Sequence, residues 1–362
     1  MVSFKKFDFI LFSLAILILS LSSITVGSVA SENLPTHLVY IAISFFAFFL
    51  FSFVDIEIWL SFSPFLYLIS LFLLLLPIFF GEAIRGSARW INVGNLTFQP
   101  TELVKPLLAI FLAWFWSKKK PSIKNLFLIS ILFLPQLFLI FIQPDLGSTL
   151  AVLTILGSCL FSMPFPKQQL IGIALGFLVI LPLGWFSLKD YQKQRIHQFL
   201  DPYSDPLGSG YNLIQAKISV GSGKFFGRGF GHGTQSHLYF LPERYTDFAF
   251  ASFAEEGGFL GVTFLLFLYF LFFWRILTIG FSLAENRLYT NNYFVLLIGI
   301  FSYIFFQSIE NIGMNLGLFP ITGVTLPLFS YGGSSLLSTM ISLGILENIA
   351  AKSSKRNFFQ IR

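Results

Sequence analysis

PERYTDFAFASFAEEGGFLGVTFLLFLYFLFFW, residues 242–274, decides the fold. The stretch opens polar and charged. From Phe248 to Trp274 it is almost wholly apolar, broken by Glu255-Glu256-Gly257-Gly258. A helix needs about 20 apolar residues to cross a bilayer, so this run predicts a membrane span. Carboxylates beside hydrocarbon are costly, and Asp247, Glu255 and Glu256 crowd one boundary, which calls for a functional or structural reason.

The rest of the chain agrees. Of 362 residues, 55% are hydrophobic and 11% charged, against about 25% charged in soluble domains. The apolar runs are continuous rather than alternating, which excludes a barrel. The reading is an all-α polytopic membrane protein, a single domain over residues 1–362. Cys159 is the only cysteine, so no disulfide forms within one chain. The net charge of +6 is spread over loops, so no nucleic-acid partner is implied. Lys5 and Lys6 before an apolar run, with Ser28-Val29-Ala30 after it, imitate a signal peptide. The run is long and many spans follow, so a retained first helix is expected.

About ten spans are expected, at 9–29, 36–54, 58–80, 101–117, 125–143, 147–163, 168–188, 248–274, 292–311 and 327–350, the fourth and sixth being short. Pro135 and Pro182 suggest kinks. Basic residues, among them Lys118, Lys119, Lys120, Lys124, Lys167, Arg275 and Lys352, fall on the side of both termini. Opposite short loops carry only Arg85 and Arg89. Both termini are therefore expected in the cytoplasm, and the large loop 189–247, between helices 7 and 8, outside. Within it, Asp201 to Gly208 reads as consecutive turns, and about 211–220 has helical spacing. The glycine-dense run from Gly221 to Gly233 is too long for a passive linker.

Asp247 sits at the interface, placed to act as general base on a sugar hydroxyl if partial desolvation raises its pKa. The competing role is a helix N-cap, by Thr246 or Asp247. Glu255 and Glu256 point about 100° apart and cannot both face one cavity. Arg85, Arg89 and Lys105 are candidate phosphate binders; solvated loop charge is the alternative for the arginines, and an ion pair with Glu102 for Lys105. Asp145 caps span six or pairs with Lys105. Glu243 is an orienting group. Residues 310–335 read as an outer re-entrant or broken-helix region, lining a cavity or packing helices closely. The four histidines make no zinc pattern, and no Walker A sequence or G-x-S-x-G elbow occurs.

Four motifs carry a resemblance: GSARWINVGNLTFQPTELVK at 86–105, QPDLGST at 143–149, residues 199–258 with GTQSHLYFLPERYTDF, and NIGMNLGLFPITGVTLPLFSYGGSS at 311–335. In order and spacing the chain resembles the SEDS proteins (shape, elongation, division and sporulation). It resembles the RodA type more than FtsW in its GTQSHLYFLPE form, and the likeness is weakest over the first 80 or so residues. One departure is Phe250-Ala251-Ser252-Phe253-Ala254, where other members often carry bulkier aliphatic residues.

The resemblance implies a peptidoglycan glycosyltransferase that polymerises lipid II, the undecaprenyl-pyrophosphate-linked disaccharide-pentapeptide, into β-1,4 glycan strands during elongation and cell-shape maintenance. The family's essential aspartate falls on Asp247, which takes the proton of the acceptor 4-hydroxyl; attack inverts the anomeric carbon and undecaprenyl pyrophosphate leaves. Family importance also falls on Arg89, Glu102, Lys105, Asp145, Gln215, Glu243, Glu255 and Ser330. The implied cofactor is a divalent cation, Mg or Mn, with unknown ligands. The implied partner is a class B penicillin-binding protein transpeptidase, in the cytoplasmic (inner) membrane. Competing readings are an FtsW-type division polymerase, a lipid II flippase and a partner-binding scaffold.

Overall fold

The computed structural model of the chain describes residues 7–84, 87–94, 96–173, 190–208, 210–285 and 291–357. The long helices are α1 (Phe9–Val29), α2 (Leu34–Phe53), α4 (Ser63–Phe80), α5 (Pro100–Lys118), α6 (Ile123–Ile142), α7 (Leu146–Ser162), α11 (Ala249–Glu285), α12 (Asn291–Leu316) and α13 (Gly333–Asn357). A short α3 (Ile56–Ser61) precedes α4. Among the described residues, seven helices are long and apolar enough to cross a membrane: α1, α2, α4, α6, α11, α12 and α13. The two spans expected to be short are α5, of 19 residues, and α7, of 17. Both pack against α12, and α5 is buried along most of its length. Of the span expected at 168–188, helix is described over 167–173, and 174–189 with Pro182 lies outside the described residues.

Caps fix several starts. The Asp8, Ser122 and Asp145 side chains accept backbone N–H groups of Leu11, Asn125 and Ser148 at the heads of α1, α6 and α7. Helix α6 continues through Pro135. Helix α13 is the axis of the bundle: 94% of its spanning window is buried, against 22% for α4, whose Phe65, Phe72 and Phe79 are exposed on an apolar surface. Small residues allow this. A Cβ at Gly344 would meet the Phe48 carbonyl oxygen at 2.5 Å, so α13 and α2 approach backbone to backbone. Arg275–Asp8 and Lys352–Asp55, each at 2.6 Å, join helix ends on one side of the bundle.

Three features differ from the sequence expectation. The all-α reading misses a small antiparallel sheet, β1 (Glu82–Ile84), β2 (Ser87–Val93) and β3 (Leu96–Phe98) in order β1-β2-β3. Val93 pairs with Leu96, and Gly94, just past Val93, has φ +64°, a conformation that favours glycine. Second, the expected span 327–350 begins later, at Gly333, because 317–332 is non-helical around Pro320 and Pro327. Third, the long segment before α11 holds α8 (Asp190–Leu200) besides the expected helix, α9 (Tyr211–Ser222), and one turn of helix, α10 (Thr234–His237).

Helix α11 is two helices joined at a break. Gly258 has φ 62° and ψ −163°, so Glu255 and Glu256 belong to a short leading piece rather than to the span itself. The break removes helical partners from nearby peptide groups, and the glycine-rich loop replaces them. Arg228 and Gly229 N–H groups donate to the Glu255 and Glu256 carbonyls at 3.0 Å each. Phe259 and Leu260 N–H groups donate to the Lys224 and Phe225 carbonyls at 2.9 and 3.2 Å. Close approach demands glycine at Gly227 and Gly258, where a Cβ would strike the Glu256 carbonyl and the Gly227 nitrogen respectively. Gly227→Ala and Gly258→Ala are each expected to cost at least about 2 kcal/mol, lowering the unfolding midpoint in detergent. Gly221→Ala, on α9 with open space around it, is expected to leave that midpoint unchanged or slightly raised.

Candidate active site

A cavity of about 890 Å³ opens at the end of the bundle opposite the Arg275–Asp8 pair. Three walls meet there. The first is the turn before α11, with Glu243, Tyr245, Thr246 and Asp247. The second is the sheet and the heads of α5 and α7, with Arg89, Trp90, Thr97, Gln99, Glu102, Pro144 and Ser148. The third is residues Thr322 to Thr325 with Tyr331, and Arg195 and Gln198 of α8.

Asp247 is held through its backbone. Its carbonyl accepts from Asn311 Nδ2 at 2.9 Å and Asn315 Nδ2 at 3.0 Å. The same Asn311 group also donates to the Val324 carbonyl at 2.7 Å, and Asn315 Oδ1 accepts the Ala251 N–H at 3.1 Å. Two asparagines one turn apart on α12 thus tie the head of α11 to the 322–325 segment. Gly323, at φ +80°, passes so close that a Cβ there would lie 3.4 Å from Asp247 Oδ2. Beside it, Thr246 Oγ1 donates to Glu243 Oε2 at 2.8 Å, and the N–H groups of Thr246 and Phe248 both go to the Glu243 carbonyl.

Arg89 presents its guanidinium to the cavity while anchored from behind. Its Nε donates to the Gln143 carbonyl at 2.8 Å, another nitrogen donates to the Pro144 carbonyl, and Asp145 lies 3.8 Å away. Asp145 is saturated: it caps α7 through Ser148 and accepts from Gln99 Nε2 at 2.9 Å and Thr101 Oγ1 at 3.4 Å. Lys105 is fully buried and pairs with Glu102 at 2.5 Å rather than with Asp145. Tyr331 closes the aromatic side, its ring 5.4 Å from Tyr245 and 5.8 Å from Tyr40. Burial, with those phenols beside it, pushes the Tyr331 hydroxyl up to about 12, so it remains a donor at neutral pH.

Of the residues read from the sequence, Asp247, Arg89, Glu102 and Glu243 line the cavity, with Lys105 and Asp145 directly behind them. Arg85 lies outside the described residues. Gln215 is on α9 and off the cavity. Ser330 accepts the Leu326 N–H at 2.9 Å within a turn. Glu255 does not reach the cavity: its carboxylate accepts the Gln235 and Ser236 N–H groups at 2.9 and 3.0 Å and the Ser236 hydroxyl at 2.8 Å. Glu256 accepts from Ser28 Oγ at 2.6 Å and the Gly231 N–H at 3.0 Å, and pairs with His237 at 2.9 Å. The glutamate pair therefore pins the glycine-rich loop. No group of three or more His, Cys, Asp or Glu side chains fit to hold a metal occurs among the described residues. The described site therefore presents no ready ligand set for the Mg or Mn ion that the resemblance implies.

The profile of the FtsW/RodA/SpoVE cell cycle proteins matches residues 5–355. The chain belongs to that family. It is 41% identical over 291 residues to the peptidoglycan glycosyltransferase MrdB of Escherichia coli, covering 79% of this chain and 77% of MrdB. It is 37% identical over 319 residues to a probable peptidoglycan glycosyltransferase FtsW of Buchnera aphidicola, covering 86% and 82%. Among solved structures, a chain from work on how a peptidoglycan synthase complex coordinates polymerization and crosslinking superposes with a TM-score of 0.82, at 32% identity over 96% of this chain and 98% of that one. The rod shape determining protein RodA of Thermus thermophilus superposes at 0.70, with 29% identity over 95% and 96%.

Sequence reading missed Asn311, Asn315, Glu310 and Arg195 as individual site residues. The first three are polar residues inside a membrane helix, a signal available without a structure. Arg195 lies in a short, mostly polar segment whose Ile196, Phe199 and Leu200 stand at helical spacing, a signal the sequence reading did not use. Asn311→Ala strips a shared donor from the Asp247 and Val324 carbonyls and is expected to cost about 1–3 kcal/mol, read as a lower unfolding midpoint in detergent.

Proposed function

We propose that this cavity polymerises lipid II as an elongation-type peptidoglycan glycosyltransferase, with Asp247 as general base. The observation that carries the reading is a carboxylate clamped by its own backbone in a cavity that two arginines, Arg89 and Arg195, also line. The acceptor's 4-hydroxyl gives its proton to Asp247 as its oxygen attacks the donor's anomeric carbon. The bond from that carbon to the pyrophosphate oxygen breaks on the opposite face, with inversion. Undecaprenyl pyrophosphate leaves with the electron pair, and Arg89 and Arg195 offset the charge it gathers. Glu243 positions Thr246 and the turn that carries Asp247. A divalent cation, Mg or Mn, belongs to the proposal as a neutraliser of pyrophosphate charge, with no ligand assigned.

Orientation follows from charge. Basic residues gather at the end away from the cavity, so both termini are cytoplasmic and the cavity faces outward from the cytoplasmic (inner) membrane. The similarity to MrdB favours elongation over division. The expected partner is a class B penicillin-binding transpeptidase, in keeping with the synthase complex that the chain resembles.

Purified protein in detergent, given lipid II, should make glycan polymer. Asp247→Asn should lower that rate by about 10²-fold or more with little change in unfolding midpoint, since the backbone clamp is untouched. Arg89→Lys should raise the KM for lipid II, because a point charge replaces a bidentate fork. Transfer of lipid II between leaflets without polymer would instead support a flippase.

A further inference from the structure

The cavity has an uncharged aromatic wall beside Asp247, and the mechanism above gives it no task. Tyr245 stands two residues before Asp247, and Tyr331 lies on the non-helical segment before α13; both line the cavity and both are half-buried. The Tyr331 N–H donates to the Tyr245 carbonyl at 2.9 Å, so main chain holds the two residues together. Their rings are 5.4 Å apart and cross at 82°, which makes a corner. The corner has a rigid backing. Tyr40 is 6% exposed, its ring is 5.8 Å from that of Tyr331, and its hydroxyl accepts the Thr97 N–H of β3 at 3.0 Å. A Cβ at Gly333 would come within 2.3 Å of the Tyr40 ring, so the head of α13 seats directly on it. His37, fully buried, has its ring 5.7 Å from Tyr331 and its Nε2 3.1 Å from Ser22 Oγ. Tyr40 commits its hydroxyl to the sheet, whereas the hydroxyls of Tyr245 and Tyr331 have no hydrogen-bond partner among the described residues.

We propose that Tyr331, with Tyr245 beside it, is the seat of the acceptor sugar and selects a β-linked, all-equatorial pyranose. The proposal rests on the reading of Asp247 as the base. Such a sugar carries axial C–H bonds on both faces and its hydroxyl groups around the rim. An aromatic ring has a negative face that attracts the positive ends of C–H bonds, so the flat apolar side of the sugar lies well on it. The rim needs polar partners once it leaves water, and a phenol hydroxyl both donates and accepts. Aromatic walls with a few placed polar groups are how small-molecule sites fix orientation. The other wall suits the other half of the substrate, because Arg89 and Arg195 offer charge to a pyrophosphate and little to a neutral sugar. Tyr245 and Asp247 share one turn, and Tyr331 is bonded to that turn, so a sugar in the corner lies next to the carboxylate that takes its proton.

The test is lipid II polymerisation by the full chain in detergent, read as KM and kcat, with the unfolding midpoint of each variant measured beside them. Tyr331→Leu keeps apolar bulk and loses both the ring and the hydroxyl; KM should rise about tenfold, with a smaller change in kcat, as expected for a binding contact. Tyr331→Phe keeps the ring and loses only the hydroxyl, and KM should rise about threefold. Tyr331→Trp, which offers a ring face again, should bring KM back toward the wild-type value. Tyr245→Leu should raise KM about threefold and keeps the proposal testable if Tyr331→Leu does not fold. A wild-type KM in whichever leucine variant folds overturns the proposal while leaving polymerisation by Asp247 intact. Equal losses in Tyr331→Phe and Tyr331→Leu overturn it as well, since the ring would then contribute nothing. So does a fall in kcat with KM unmoved, which would make the tyrosines supports of the Asp247 turn and no seat for a sugar. A wild type that makes no polymer overturns the functional reading instead.

Discussion

Everything at the cavity end of this bundle depends on how the peptide groups around Gly257-Gly258 find partners. Unpaired backbone groups at membrane depth cost several kcal/mol each, so a helix breaks there only where protein supplies replacements. The glycine-rich loop does so in both directions, giving N–H groups to the Glu255 and Glu256 carbonyls and taking those of Phe259 and Leu260. The two glutamate side chains then hold the far part of the same loop, at residues 231 and 234–237. Loop and break are one unit, and glycine is the residue that lets the two backbones meet.

The break sets where the chemistry stands. It leaves a short helical piece, ahead of the span, free to be aimed by contacts other than those of the span. Those contacts are the Asn311 and Asn315 amides on α12, which grip the Asp247 carbonyl and the Ala251 N–H. Asp247, the base in the proposal above, is thus fixed through main chain, and Gly323 passes beside its carboxylate where a Cβ would come within 3.4 Å of Oδ2. Opposite it, Arg89 is fixed by the Gln143 and Pro144 carbonyls, and its charge is tempered by Asp145. Fixed donors on rigid elements suit a reaction in which charge moves from an aspartate to a pyrophosphate, because little has to reorganise as it moves.

Much of this was legible in the sequence. Length and apolarity placed the first six expected spans to within five residues at each end, because a bilayer sets helix length more strictly than a soluble core does, whereas the span expected at 248–274 runs on to Glu285 and that expected at 327–350 begins at Gly333. The motifs led to Asp247, Arg89, Glu102 and Glu243, which the structure gathers on one cavity. Glu255 misled for a physical reason: a carboxylate at a membrane boundary signals an unusual partner, and the partner proved to be backbone N–H groups rather than substrate. The short sheet was hidden because Gly94-Asn95 is a weak turn signal beside so much apolar sequence. Helix α8, with Arg195, was overlooked although Ile196, Phe199 and Leu200 stand at helical spacing, because the segment is short and mostly polar.

The account's central claim is that the acceptor sugar meets Asp247 inside the cavity. It is tested most directly by a structure of the protein with lipid II analogues bound. The account predicts the acceptor 4-hydroxyl within hydrogen-bond reach of the Asp247 carboxylate, about 2.6–3.2 Å, and the donor pyrophosphate against Arg89 and Arg195. Disaccharide bound elsewhere, with no sugar hydroxyl near Asp247, would contradict it.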